Sequence, residues 1–114
     1  MKVLNIATAL SCAADGQSSI IDTLGQTLPF ESGYTNLAVF SLNGVADAIV
    51  TLQESDSSTF ASGVATVAQV DLTAAAATNG VRNLAAAVTK RYLRVDANEV
   101  TTGAGDVTVD LIGN

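Results

Sequence analysis

An all-β antiparallel sandwich, jelly-roll or immunoglobulin-like, is the fold class this sequence predicts. Three observations lead there. Apolar residues recur mostly at every second position, turn-forming residues interrupt the chain at short intervals, and the apolar residues are small and aliphatic. The 114 residues suit one domain. Hydrophobic residues make up 48% of the chain and aromatic ones only 4%, with no Trp, so Val, Leu, Ile and Ala have to build the core. A chain of this size buries about two-thirds of its unfolded surface, enough for one core without disulfide or metal.

The strands expected are 3–10, 18–24, 36–42, 46–54, 63–72, 91–100 and 106–112. In 63–72, Val64, Thr66, Ala68, Val70 and Leu72 share a face opposite Gln69 and Asp71. In 106–112, Val107, Val109 and Leu111 oppose Thr108, Asp110 and Ile112. This alternation suits a sheet with one buried face. Asn43-Gly44 separates two apolar runs and reads as a tight hairpin turn, because both residues tolerate positive φ. Thr101-Thr102-Gly103-Ala104-Gly105 joins the last two strands in the same way. Glu54-Ser55-Asp56-Ser57-Ser58 is a polar turn, and Asn79-Gly80 is a further turn candidate.

Residues 73–89 carry a mixed signal. Val81, Leu84, Ala85 and Val88 have helical spacing, and the alanines at 74–77 favour a helix, but Gly80 divides the stretch into pieces too short to hold one. The reading is a loop with one helical turn, followed by a strand entering at Val88. The whole chain, 1–114, is then a single β-sandwich domain, with residues 1–30 as an arm or edge element.

The net charge of −6 repels phosphate, so nucleic acid is not expected as a partner. Only 14% of residues are charged. Such a chain either fills a sandwich well or hides surface against another chain. Cys12 is the single cysteine, so no intrachain disulfide forms, and it reads as a small buried hydrophobe. Lys2 and the apolar residues after it imitate a secretory or lipoprotein leader, but Asn5 and Thr8 interrupt a stretch that is already short. No run is long enough to span a bilayer. The protein is expected to be made in the cytoplasm.

Catalysis finds little to work with. Histidine is absent, so the usual nucleophilic triads lack their base. The pairs Glu54 with Asp56 and Asp106 with Asp110 fall in turns or on solvent faces, where solvated charge is expected. One Cys without His serves zinc poorly, and the spacing of Glu54 and Asp56 matches no calcium loop. Gly103-Ala104-Gly105 lacks the strand-to-helix context of a phosphate loop. The expectation is a protein without catalytic residues, metal or cofactor. One cluster stands out: Lys90-Arg91-Tyr92-Leu93-Arg94-Val95 holds three of the five basic residues. On a strand, Lys90, Tyr92 and Arg94 point one way and Arg91, Leu93 and Val95 the other. The first set is the candidate protein-contact patch, since Tyr and Arg are favoured at interfaces.

The order of Val50-Thr51-Leu52-Gln53-Glu54-Ser55-Asp56, Ser58-Thr59-Phe60, Lys90-Arg91-Tyr92-Leu93-Arg94-Val95, a glycine-rich hairpin and a Val-rich last strand resembles head decoration, or cement, proteins of tailed phages. The similarity covers roughly residues 34–112. It implies a jelly-roll or immunoglobulin-like sandwich that binds the capsid exterior as a trimer and bridges copies of the major capsid protein. Localisation to the virion follows from the same resemblance. The competing reading is a receptor- or carbohydrate-binding module of a tail fibre or adhesin. Sugar sites present aromatic platforms, and here only Tyr34, Tyr92 and three Phe are available.

Overall fold

The computed structural model describes residues 2–24 and 36–113. Alternating apolar residues do form strands: β1 (Lys2–Ser11), β2 (Gly16–Gln17), β3 (Ile21–Asp22), β4 (Asn36–Ser55), β5 (Ala65–Leu72), β6 (Thr78–Ala86) and β7 (Tyr92–Gly113). Among the described residues these make one seven-stranded antiparallel sheet of order β1-β7-β4-β5, with β2 and β3 also on β7 and β6 also on β4. The all-β antiparallel fold class is as expected.

Two long strands carry the architecture. β4 and β7 pair along their length, from Leu37↔Ile112 to Ser55↔Tyr92. The first part of β4 is flanked by β6 and the second by β5. The second part of β7 is flanked by β1, and its first part by β2 and β3. The sheet therefore has two halves that share their central strands and meet where the register shifts between Asn43 and Ala48. Ala38, Phe40, Val107, Val109 and Leu111 from one half, and Val50, Leu52, Leu93, Val95 and Ala97 from the other, have no exposed surface and belong to one core. Both halves thus turn their apolar faces to a common interior, an arrangement compatible with a β-sandwich. Each buried Val or Leu stabilises by about 1.5–3 kcal/mol relative to exposure.

Several local expectations change. Asn43-Gly44 and Thr101–Gly105 do not reverse the chain. Asn43 pairs with Asp106 and Ala46 with Ala104, so both segments are bends inside continuous strands. Gly44 (φ 63), Asp47 (φ 46) and Gly105 (φ 82) occupy the left-handed region. A hairpin turn and a kinked strand make the same demand on φ, so residue type alone does not separate them. A side chain at Gly105 would also meet the Gly44 backbone at 2.4 Å, and one at Gly103 would meet the Cys12 carbonyl at 2.1 Å.

The stretch 73–89 contains strand β6 rather than a helical turn, because its apolar residues answer to cross-strand partners on β4, from Ala86↔Asn36 to Gly80↔Leu42. The alternation in β5 holds for Ala68, Val70 and Leu72 but inverts at a register shift opposite Leu52 and Gln53, leaving Val67 half-buried and Thr66 and Val64 exposed. Only Ile21–Asp22 of the expected strand 18–24 is paired, with Gly16–Gln17 just before it. The described part of the N-terminal segment lies along β7 as edge elements.

Candidate functional site

The candidate contact residues sit where β7 enters the sheet. Leu93 and Val95 point into the core with no exposed surface, so Tyr92 and Arg94 face outward, as the parity of the segment requires. Arg94 lies over the Phe60 ring at 4.3 Å from its centroid. It donates from Nε to Gln53 Oε1 at 2.9 Å and from Nη1 to Gln17 Oε1 at 3.4 Å. Stacking of a planar cation on an aromatic face suits a half-wet surface. Lys90 precedes β7, and its Nζ donates to the Gly63 carbonyl at 2.6 Å. Arg91 departs from the expected pattern: it is exposed and grips Asp22 through Nε and Nη2 at 2.9 and 2.8 Å, with its guanidinium 5.0 Å from the Tyr92 ring centroid. That hydrogen-bonded guanidinium pulls the Asp22 carboxyl down to about 2. The structure sets Tyr92, Arg94 and Gln53 half-exposed on the outer side, with Arg94 covering the buried Phe60 ring, and places Lys90 just before β7. Tyr34 lies outside the described residues.

Two carboxylates do structural tasks that sequence reasoning missed. Glu54 is 5% exposed and not a solvated charge. Its Oε2 accepts from the Thr89 and Lys90 amides at 2.7 and 3.1 Å, and its Oε1 from Thr89 Oγ1 at 2.7 Å. A buried carboxylate is tolerated when donors surround it in this way. Asp56 adds a bond from the Arg91 amide at 3.3 Å. Asp47 takes the amides of Ala74, Thr101 and Thr102 at 2.8, 2.9 and 2.7 Å, tying the β5–β6 connection and the bend of β7 to the bend of β4. The Thr102 and Ala74 amides hold its carboxyl below the usual carboxylate range. No sequence signal marks Asp47 beyond the tolerance of Asp for positive φ. Asp106 and Asp110 accept from the side-chain amides of Asn43 and Asn5 at 3.1 and 2.9 Å.

Cys12 is buried, and burial, then Asp106, pushes its thiol above the usual value. An attacking thiolate is therefore disfavoured. A groove of about 440 Å³ opens between β1 and the β2–β3 segment, lined by Asn5, Thr8, Leu10, Gln17, Ser18 and Ile21 among others. A smaller one of about 190 Å³, between β5 and β6, includes Gln69, Asp71, Leu72, Arg82 and Leu84. Neither gathers a nucleophile and a base among the described residues. The molecule so defined is a small antiparallel β domain in which several charged side chains, Asp47, Glu54 and Lys90 among them, fasten its own backbone. Comparison with protein-family models and with curated proteins gives no match for the chain.

Proposed function

We propose that this protein is a structural virion component that decorates a phage capsid from outside and bridges capsid subunits. The observation that carries the reading is the outer face around Arg94. Tyr92, Arg94 and Gln53 form a half-exposed surface on which Arg94 is already held, by its stack on the buried Phe60 ring and its bond to Gln53. An immobilised guanidinium loses little entropy on docking, which favours a protein contact. The resemblance to decoration proteins in residues 34–112 supplies the partner class, the major capsid protein, and the location on the shell. The trimer that the resemblance implies rests on it alone.

The test is co-sedimentation of the purified protein with shells assembled from the major capsid protein of the same genome, at two ionic strengths. Binding that weakens in Arg94→Glu, and becomes less salt-sensitive, is the expected result. Failure of the wild-type protein to sediment with shells removes the proposal. Wild-type-like binding by Arg94→Glu moves the contact to another face.

A further inference from the structure

We infer that Asn79-Gly80 is a site of spontaneous covalent modification, where the asparagine cyclises onto the glycine amide and ages to aspartate and isoaspartate, while Asn43-Gly44 is protected. Both sites read Asn-Gly-Val, so local sequence makes them equally reactive and the fold sets any difference. Glycine permits the reaction because no Cβ obstructs its amide nitrogen. Both glycines have open space where a Cβ would stand, so crowding does not separate them either.

One hydrogen bond acts in opposite senses on the two. The Gly44 N–H donates to Asn79 Oδ1 at 2.9 Å. Gly44 N is the atom that would attack Asn43 Cγ, and this bond engages it elsewhere. The same bond draws electron density toward Asn79 Oδ1. Its donor is already in place for the negative charge that this oxygen gains when Asn79 Cγ is attacked. The leaving groups differ as well. Asn43 Nδ2 donates to Asp106 Oδ2 at 3.1 Å, whereas nothing among the described residues accepts from Asn79 Nδ2. Position adds to the contrast. Asn43 lies in the central strand β4 and pairs with Asp106 of β7, whereas Asn79 and Gly80 are exposed on edge strand β6. Gly80↔Leu42 is the last pair before the register shift to Thr78↔Val45, so freeing the Gly80 amide opens only the terminal pair of an edge.

In the reaction Gly80 N bonds to Asn79 Cγ and gives up its proton to water, and Nδ2 takes a proton and leaves as ammonia. Water then opens the succinimide ring. Attack at Cγ restores the ordinary chain with aspartate, and attack at the main-chain carbonyl leaves the chain linked through Cγ as isoaspartate. A water is consumed and an ammonia released for each event, with no change of oxidation state.

The test is peptide mapping by mass spectrometry as the full chain is incubated in warm, mildly alkaline buffer. The Asn79 peptide should gain the mass of an NH₂-to-OH exchange and become a substrate for an isoaspartyl methyltransferase. It should convert roughly fivefold or more faster than the Asn43 peptide, the factor set by the net strength of one backbone hydrogen bond. In concentrated urea the two rates should converge. Asn79→Ala frees the Gly44 amide and should speed conversion at Asn43, whereas Asn79→Asp retains an acceptor and should not. No conversion at Asn79, equal or faster conversion at Asn43 in the folded protein, or an Asn43 rate unmoved by Asn79→Ala overturns the inference. No readout involves a capsid, so the outcome is separate from that of the decoration proposal.

Discussion

The middle and one end of the long β4–β7 pair are fastened by different means. At the bend, backbone lies directly on backbone: Gly105 sits against Gly44 and Gly103 against the Cys12 carbonyl, and half-buried Asp47 gathers three amides from two other segments. At the far end the fastening is buried: Leu93 fills the core, and Glu54, enclosed at 5% exposure, holds Thr89 and Lys90. Both places use a carboxylate to accept amide hydrogens, yet one is within reach of water and the other is dry. Water can replace lost bonds at the first and cannot at the second, so equal geometry does not mean equal energy.

Substitutions can separate the two. The largest effect is expected from Leu93→Asp, which buries an unpaired carboxylate at a site with no exposure and should cost about 4 kcal/mol or more, unfolding a marginal domain. Circular dichroism melting checks it, and a folded variant would mean the core face is misassigned. Gly105→Ala follows, at about 3 kcal/mol, because its Cβ falls 2.4 Å from Gly44 and its φ of 82 suits glycine. If that variant melts like wild type, the bend is not fastened by close backbone approach. Glu54→Ala strands two amides and a hydroxyl in a dry site and should cost about 2–3 kcal/mol in denaturant titration.

Asp47→Asn should lower the melting temperature less than Glu54→Ala, and its effect should depend on pH. The carboxyls of Asp47, Asp22 and Asp71 are held below their ordinary value in the folded state by their hydrogen bonds. A depressed folded pKa contributes stability above the unfolded value, ~3.9, and that contribution disappears as pH falls through the folded value, near 2 for Asp22. Melting curves of the wild-type protein should therefore shift down between those limits. Asp47→Asn should flatten part of that fall, and an unchanged slope would show that Asp47 does not take part. Arg94→Glu should change stability least, since its contacts lie at a partly wet surface. A large loss of stability there would make Arg94 a structural residue and not a docking one.

Parity was the readable part of the chain. Val107, Val109 and Leu111, and likewise Leu93 and Val95, alternate with polar neighbours because a strand with one dry face leaves no other choice. Tyr92 and Arg94 were readable as outward-facing for the same reason. What failed depended on distance or on ambiguity of φ. Gly44 and Gly105 announce positive φ but not whether the chain turns back. Val81 has helical spacing in a stretch that reads as a loop with one helical turn, whereas it lies exposed on an edge strand that depends on β4. Glu54 looked solvated because the donors that permit its burial come from residues 35 and 36 positions away.

β7 has a consequence for synthesis. β1, β2 and β3 all find their strand partner on β7, and β4 also pairs with it from end to end. A nascent chain that has not yet reached Tyr92 can join β4 only to β5 and β6, while β1, with apolar Ile6 and Ala7, waits unpaired. Closing such distant contacts is slow for a β topology, so the sheet should complete only after translation has passed β7. Ribosome-bound chains stopped before Tyr92 should therefore be protease-sensitive and bind chaperones, and chains carrying all of β7 followed by an added linker should not.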